Sequence, residues 1–168
     1  GCRLPISALA TEHAAVLDCV EQVGGETLSV GHDGICDTQY WENGLAACML
    51  VNNEIGTIQP IADIADAVHG AGGLLLCDAV QGFGRLALPD GPDMIAVSAH
   101  KIHGPKGIGA LWVRDGIVLE PLLHGGGQEQ GLRSGTLSPA LCVGFGAAAR
   151  LAAERMVDDR AHVEAIWT

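Results

Sequence analysis

Short apolar runs alternate along this chain with segments that carry apolar residues at helical spacing, and this alternation limits the possible folds most strongly. Runs such as residues 74–77 are apolar at every position, as expected for strands that are buried on both faces. Strands of this kind, separated by amphipathic helices, form parallel sheets with a helix layer on each face. The sequence therefore predicts an α/β fold with a mainly parallel sheet and helices on both faces.

The pattern predicts the following elements. Strands are expected at residues 3–10, 27–30, 46–52, 74–77, 93–98 and 109–113, and helices at 14–23, 40–45, 61–69 and 138 to about 156. The last helix has Ser138 as its expected N-cap and Pro139 at its first position. No change in composition divides the chain, so one domain is predicted for residues 1–168, and its end elements lack neighbours, so we expect it to be incomplete at both ends.

The charge balance argues against two classes of partner. Nine Lys and Arg residues oppose twenty Asp and Glu residues, which gives a formal charge of −11. Such a surface repels nucleic acid and anionic membranes, and no apolar run reaches the roughly 18 residues of a membrane span. A few backbone N–H groups and one lysine can still bind a phosphate locally. Neither nucleic acid nor membrane is an expected partner.

The six cysteines, at positions 2, 19, 36, 48, 77 and 142, include no C-x-x-C pair and have no matching pair of histidines. They therefore predict no metal site, and His124, in its glycine-rich turn, belongs to no recognisable ligand set. Several cysteines lie in apolar runs, as free thiols do in a reducing compartment. The first residues also lack the pattern of a secretory signal. We expect a cytoplasmic protein.

A glycine-rich segment that contains Lys101 follows the predicted strand 93–98. A lysine amine at the end of a strand can take part in imine chemistry, although a solvated lysine in a surface turn fits this segment equally well. Asp78 ends the apolar strand before it, where a partly desolvated carboxylate needs a cationic partner. A protonated pyridine nitrogen is one such partner, and a turn or helix cap is the ordinary alternative.

Five strings of residues stand together in an order and spacing that resemble the cysteine desulfurases of the class V aminotransferase-like family. These enzymes include the group that serves iron–sulfur cluster and nitrogenase assembly. The strings are TEH at 11–13, VNNEIGTIQP at 51–60, DAVQG at 78–82, SAHKIHGPKGIG at 98–109 and HGGGQEQGLRSGT at 124–136. The resemblance covers nearly the whole chain and implies the central part of a fold-type-I large domain that binds pyridoxal 5′-phosphate (PLP).

The resemblance also implies roles for individual residues around the ring of the cofactor. It makes Lys101 the lysine that forms a Schiff base with PLP, and Asp78 the partner of the pyridine nitrogen. Gln81 and Asn53 would lie near the phenolic oxygen. His13 would stack on the ring and, with Lys101, take part in catalysis. His13 and Gln81 also have ordinary alternatives, as a helix-capping residue and a turn residue.

For the phosphate group, the resemblance implies Ser98 and His100 as ligands, although Ser98 could be an ordinary strand-end hydroxyl. Thr136 resembles the residue that reaches the phosphate of a neighbouring subunit, so a homodimer is expected. In the family, L-cysteine is converted to alanine and the sulfur is left as an enzyme persulfide, from which an acceptor protein can take it.

Two features of the family have no counterpart in these residues. The glycine-rich phosphate loop would precede the strand before His13, and the mobile loop with the nucleophilic cysteine would follow the last helix. None of the six cysteines is in a matching context, so no catalytic cysteine is assigned. Whether the chain is an enzyme therefore stays open, and the alternatives are a selenocysteine lyase, another class V aminotransferase, and a folded fragment without turnover.

Overall fold

The computed structural model describes residues 4–167 of the chain, without the side chain of Tyr40. Six strands form one sheet: β1 (Ile6–Leu9), β2 (Glu26–Leu28), β3 (Leu45–Met49), β4 (Leu74–Asp78), β5 (Met94–Ser98) and β6 (Gly109–Val113). Three α-helices accompany them: α1 (Ala14–Gln22), α2 (Ile61–Gly70) and α3 (Pro139–Ile166). Short 3₁₀ helices span Thr38–Tyr40, Ala99–Ile102 and Glu129–Gly131.

The sheet has the strand order β2-β1-β3-β4-β5-β6, and every neighbouring pair is parallel except β5 and β6. From β1 the chain first moves outward to β2 and then returns to β3 on the other side of β1. The direction of winding therefore reverses between β1 and β3. In open α/β sheets, the crevice at the carboxyl ends of the strands at such a reversal is the usual place for a ligand.

Alternating side chains of the central strands divide the core between the two faces of the sheet. Ala8 and Ala47 pack with Val20 of α1. Their strand neighbours Leu9 and Cys48 point the other way, because successive side chains in a strand alternate. On that second face they meet the apolar stripe of α2, which comprises Ile61, Ile64, Ala65 and Val68. The predicted parallel sheet with helices on both faces is confirmed.

The helix predicted at residues 40–45 is wrong. A single 3₁₀ turn, Thr38–Tyr40, stands there instead, and the Asp37 side chain caps it by accepting a hydrogen bond from the Gln39 N–H at 3.1 Å. Trp41 is already extended and buried. The Leu45 N–H donates to the carbonyl of Pro5 at 2.8 Å, so strand pairing overrides the weak helical pattern.

The other predicted elements are present, with shifted ends. The first strand begins at Ile6, and Arg3 lies outside the described residues. Helix α3 continues to Ile166, about three turns beyond the predicted end. Ion pairs one turn apart support this extension, from Arg155 to Asp159 at 3.0 Å and from Arg160 to Glu164 at 2.8 Å. Within residues 4–167, no helix combines the length and apolar character needed to cross a membrane.

Candidate cofactor-binding site

A cavity of about 340 Å³ lies at the carboxyl ends of β1 and β3, where the winding of the sheet reverses. Two segments line it, residues 10–14 and residues 52–55. Two predicted site residues, His13 and Asn53, are therefore brought to one cavity although 40 positions separate them in the sequence. A larger cavity of about 630 Å³ includes the turns before β1, β2 and β3 in its lining, and none of the predicted site residues lines it.

His13 is the N-cap of α1. Its backbone is extended, and Nδ1 accepts a hydrogen bond from the Ala15 N–H at 3.1 Å. Because Nδ1 acts as an acceptor, the neutral imidazole carries its proton on Nε2. The capping alternative is thus what the structure shows, and it fixes the ring orientation and tautomer while the side chain remains exposed to the cavity.

Asn52 lines the same cavity as His13. Its Nδ2 donates to the carbonyl of Thr11 at 2.7 Å, and its Oδ1 accepts from the N–H groups of Glu54 and Ile55 at 2.7 and 2.9 Å. This side chain therefore holds the loop after β3 against the loop after β1. The sequence interpretation selected its neighbour Asn53, which is exposed at the cavity, and gave no role to Asn52.

Glu12 is a buried carboxyl group beside His13, and the sequence interpretation also gave it no role. Its Oε1 accepts from the Met49 N–H, while Oε2 has no hydrogen-bond partner within residues 4–167. Burial raises the pKa of Glu12 to about 7; the Met49 hydrogen bond opposes this rise, and the charge of Asp78 adds to it. Glu12 is therefore partly protonated near neutral pH, where an ordinary carboxyl group is fully ionised.

Asp78 ends β4 with its side chain half buried. Oδ1 accepts a hydrogen bond from the Val80 N–H at 2.8 Å. The structure shows no donor to Oδ2 within the described residues, so one carboxylate oxygen is available for a ligand. A partly desolvated carboxylate with an open oxygen is suited to a cation such as a protonated ring nitrogen.

Ser98 and His100 form a polar pair at the end of the neighbouring strand β5. Ser98 Oγ lies 2.7 Å from His100 Nδ1, and Ser98 is the last residue before the 3₁₀ helix Ala99–Ile102, which contains Lys101. A hydroxyl and an imidazole next to each other supply hydrogen-bond donors for phosphate oxygens. Ser98, His100 and Lys101 are therefore brought together within one turn.

Helix α3 packs against the turn that carries Lys101. A Cβ atom at Gly104 would lie 2.9 Å from the Ala99 carbonyl oxygen and 3.0 Å from Ala148 Cβ, so only glycine fits there. His103, just before it, adopts left-handed φ of 64°, which costs energy for a residue with a side chain. The left-handed turn at His103 and the packing of α3 together restrict the position of the Lys101 backbone.

The two remaining predicted site residues, Gln81 and Thr136, lie in different loops. Gln81 lies in the turn after β4, and its carbonyl accepts a hydrogen bond from Arg85 Nη1 at 3.3 Å. Thr136 is exposed in the loop before α3, and no hydrogen bond joins it to Ser98 or His100 within the described part of the chain. Its expected contact with a neighbouring subunit is not tested by a single chain and stays a prediction.

The described cysteines fall into two groups. Burial raises the pKa of Cys36 to about 11 and that of Cys77 to about 12, and it also raises the pKa of Cys48. Such thiols form little thiolate at neutral pH. Cys19 and Cys142 are exposed, but they lie on α1 and α3, not in the loops at the carboxyl ends of the strands. Cys2 lies outside the described residues.

The donor set at this edge of the sheet fits PLP chemically. Lys101 offers an amine for the aldehyde, and Asp78 offers a carboxylate for the pyridine nitrogen. The Ser98–His100 pair offers donors for the phosphate. These three groups come from the ends of the paired strands β4 and β5 and from the turn after β5, as a single ligand would require.

Similar sequences and folds occur among known proteins. The sequence model described as aminotransferase class-V matches residues 6–166. A mitochondrial cysteine desulfurase of Saccharomyces cerevisiae is 42% identical over 170 residues, which cover 92% of this chain and 34% of that protein. A mitosomal cysteine desulfurase of Encephalitozoon cuniculi is 41% identical over 175 residues, which cover 95% of this chain and 40% of that protein.

Among solved structures, a NifS-like protein from Rickettsia africae superposes with a TM-score of 0.87 at 29% sequence identity. That superposition covers 92% of this chain and 47% of the other. The chain therefore spans less than half the length of the proteins named here.

Proposed function

The chain belongs to the class-V aminotransferase family, and on that premise we propose that it binds PLP through Lys101 and forms the cofactor-binding part of a cysteine desulfurase. The observation that carries the proposal is the placement of Asp78, the Ser98–His100 pair and Lys101 at the carboxyl ends of two paired strands. They share this edge with the cavity at His13 and Asn53.

Each residue has a task that its surroundings support. The open oxygen of Asp78 would hold the proton on the ring nitrogen, and the hydroxyl and imidazole of the Ser98–His100 pair would donate to the phosphate. His13 would lie against the ring face, and its proton on Nε2 could be moved to or from the substrate. Bound PLP supplies an electron sink for negative charge that develops on the substrate.

Gln81 and Asn53 are proposed to lie near the phenolic oxygen of the cofactor, each from a loop that follows a strand of the same edge. Both side chains carry amide groups, which donate hydrogen bonds without adding charge. The phosphate binding would be completed by Thr136 of a second copy of the chain. The exposure of Thr136 in the loop before α3 supports this homodimer, because the residue is free to meet another surface.

The proposed substrate is L-cysteine, whose sulfur would be passed to an acceptor protein for iron–sulfur cluster assembly and whose carbon skeleton would leave as alanine. Sulfur transfer requires a thiolate close to the substrate. The described cysteines are either buried with raised pKa values or placed on helices α1 and α3. We therefore expect the 168-residue chain to bind PLP but to show weak or no desulfuration.

That expectation makes a folded, catalytically silent fragment without turnover the second candidate function. Selenocysteine lyase or other class V aminotransferase activity is the third, and comparison of L-cysteine, L-selenocysteine and other amino acids as substrates separates it. We also propose that the protein is cytoplasmic, which the five free cysteines among the described residues support because free thiols persist in reducing compartments.

The decisive experiment uses the fact that the sequence has two lysines, Lys101 and Lys106. The purified chain is incubated with PLP, reduced with borohydride and analysed by intact and peptide mass spectrometry. We expect a visible absorption band and a reduced adduct on Lys101. Lys101→Ala abolishes both, and the matched control Lys106→Ala retains both. An unchanged adduct in Lys101→Ala would show that the lysine assignment is wrong.

A second experiment tests the shared site. Sedimentation of the parent and of Thr136→Ala, with and without PLP, is expected to show a dimer that PLP strengthens in the parent only, because a ligand bound by both subunits stabilises their association. A strict monomer that binds PLP equally well in both forms contradicts the shared site.

A further inference from the structure

The guanidinium group of Arg85 connects the two segments that carry the proposed cofactor residues. Nη1 donates to the carbonyl of Gln81 at 3.3 Å, and Nη2 donates to the carbonyl of Lys101 at 2.9 Å. Gln81 lies in the turn after β4, whereas Lys101 lies in the 3₁₀ helix after β5. One planar side chain therefore joins the loops that follow two adjacent strands.

The backbone beside Arg85 brings the same two segments into direct contact. Gly84 has φ of +75°, and a Cβ atom there would lie 3.0 Å from Ile102 Cγ2 and 2.8 Å from Ala152 Cβ of α3. Ile102, the residue after Lys101, is buried. The Arg85 N–H also donates to the Gly82 carbonyl at 2.9 Å, which holds the arginine backbone in the turn. The position from which the guanidinium group extends is therefore fixed.

We propose that Arg85 is a positioning residue for the cofactor. By holding the carbonyls of Gln81 and Lys101 in one fork, it fixes the backbone from which the Lys101 amine reaches the aldehyde carbon, relative to the Gln81 amide near the phenolic oxygen. The inference rests on the proposed function, since it is the cofactor that has to touch both residues. It differs from a general stabilising role in the effect that we expect, which is confined to the two loops that Arg85 joins and to the bound ligand.

The test compares Arg85→Met, which keeps the apolar stem but removes the donors, with Arg85→Lys, which keeps a cation but not the fork. Arg155→Met is the matched control, because Arg155 is an exposed arginine on α3 that pairs with Asp159. The first readout is amide hydrogen exchange of residues 99–104 in the cofactor-free chain. The second is the Kd for PLP, together with the visible circular dichroism of the bound cofactor.

Arg85→Met is expected to speed exchange at residues 99–104 about tenfold and to raise the Kd for PLP about tenfold, with a changed dichroism band, because the segment loses the hydrogen bond to its Lys101 carbonyl and, with it, the link to the Gln81 carbonyl. Arg85→Lys is expected to lie between Arg85→Met and the parent. The control is expected to match the parent in both readouts, and all variants are expected to keep the parent's exchange pattern in β3 and β4.

The outcomes separate this inference from the proposed function. Unchanged exchange at residues 99–104 in Arg85→Met overturns the positioning role. Faster exchange with an unchanged Kd and dichroism band overturns its relevance to the cofactor. A parent that forms no reducible adduct on Lys101 overturns the proposed function, and the exchange measurement then still decides whether Arg85 holds the segment. If Arg85→Met does not fold, Arg85→Gln is measured against the same criteria.

Discussion

At the amino end of β5, the buried carboxylate of Asp93 has its partners within the chain, whereas at the carboxyl end of β4 the half-buried carboxylate of Asp78 has an oxygen available. Asp93 is 2% exposed and accepts from the Leu75 N–H at 2.7 Å, lies 2.9 Å from His69 Nε2 and pairs with Arg114. The Asp78 carboxylate accepts one hydrogen bond, from the Val80 N–H.

The difference separates a stabilising cluster at the amino ends of the strands from the proposed cofactor site at their carboxyl ends. A buried charge is tolerated only when it is paired and hydrogen-bonded, so the Asp93 cluster can hold the loop before β5 without any ligand. A carboxylate with an open oxygen contributes less to folding, and the missing partner is supplied when a ligand binds. Substitution of Asp93 is therefore expected mainly to lower stability, whereas substitution of Asp78 is expected mainly to weaken ligand binding.

The largest effect is expected from Asp93→Ala. The change leaves the buried Leu75 N–H without its side-chain acceptor and separates Arg114 and His69 from their common partner. We expect a loss of about 3 kcal/mol in the free energy of unfolding, measured by urea denaturation with an unchanged m value. A loss below about 1 kcal/mol would mean that the amino edge does not depend on this cluster.

The next effect concerns the pH dependence that Glu12 brings to the carboxyl edge. Its pKa is raised from 4.5 to about 7 in the folded chain, so the folded state holds the proton more tightly than the unfolded state. The stability linked to this group is fully present below about pH 4.5 and is lost as pH rises through 7, with a total change of about 3 kcal/mol.

Glu12→Gln removes this ionisation while it keeps an oxygen for the Met49 N–H. We expect the variant to gain stability relative to the parent as pH rises from 4.5 to 8, measured as the difference between urea unfolding curves at each pH. Asp18→Asn, a change at an exposed carboxylate of α1, serves as the control. A difference between parent and Glu12→Gln that does not vary with pH would contradict a raised pKa at this position.

Asp78→Asn is expected to have a smaller effect on stability, of about 1 kcal/mol or less, because the amide oxygen can still accept from the Val80 N–H. Its effect on ligand binding is expected to exceed its effect on folding, since a neutral amide does not hold a proton on the ring nitrogen. Paired measurements of urea unfolding and PLP titration check this. A variant as unstable as Asp93→Ala, with unchanged PLP affinity, would reverse the contrast between the edges.

The smallest effect is expected in α3, which supports the Lys101 turn. Gly144 and Gly146 are both inside this helix, but a Cβ atom at Gly144 would lie 3.1 Å from Pro105 Cγ, whereas one at Gly146 would meet nothing within 4 Å. Gly146→Ala is therefore expected to stabilise the chain by about 0.5–1 kcal/mol, and Gly144→Ala by less. Equal increases in the melting temperature of the two variants would show that the close approach of Gly144 to Pro105 does not limit the gain.

Much of the fold followed from local patterns. Apolar strands such as residues 74–77 and the helical spacing of apolar residues between them are local features, and they predicted the layers and most elements correctly. The helix expected at residues 40–45 failed because its backbone is needed for strand pairing with a segment 40 positions away. A partner so distant in the sequence leaves no trace in a window of a few residues.

The candidate site shows the same division. The five residue strings led to Lys101, Asp78 and the Ser98–His100 pair, which the structure places at the ends of paired strands. Asn52, Glu12 and Arg85 were given no role, and for Asn52 and Arg85 nothing in their sequence neighbours indicates one. The string at 11–13 contained Glu12, and a carboxyl group two residues after the predicted strand 3–10 was the available signal for its burial.

The sequence by itself determined the alternation of buried strands and amphipathic helices, the family of the chain and the residue types offered to a cofactor, because each is written in local composition and order. Only the tertiary structure decided that Asn52 joins the two loops at the His13 cavity, that the pKa of Glu12 is raised and that Arg85 joins two further loops. These properties depend on distances between segments remote in the chain and on water excluded from between them, and both exist only after the sheet has formed.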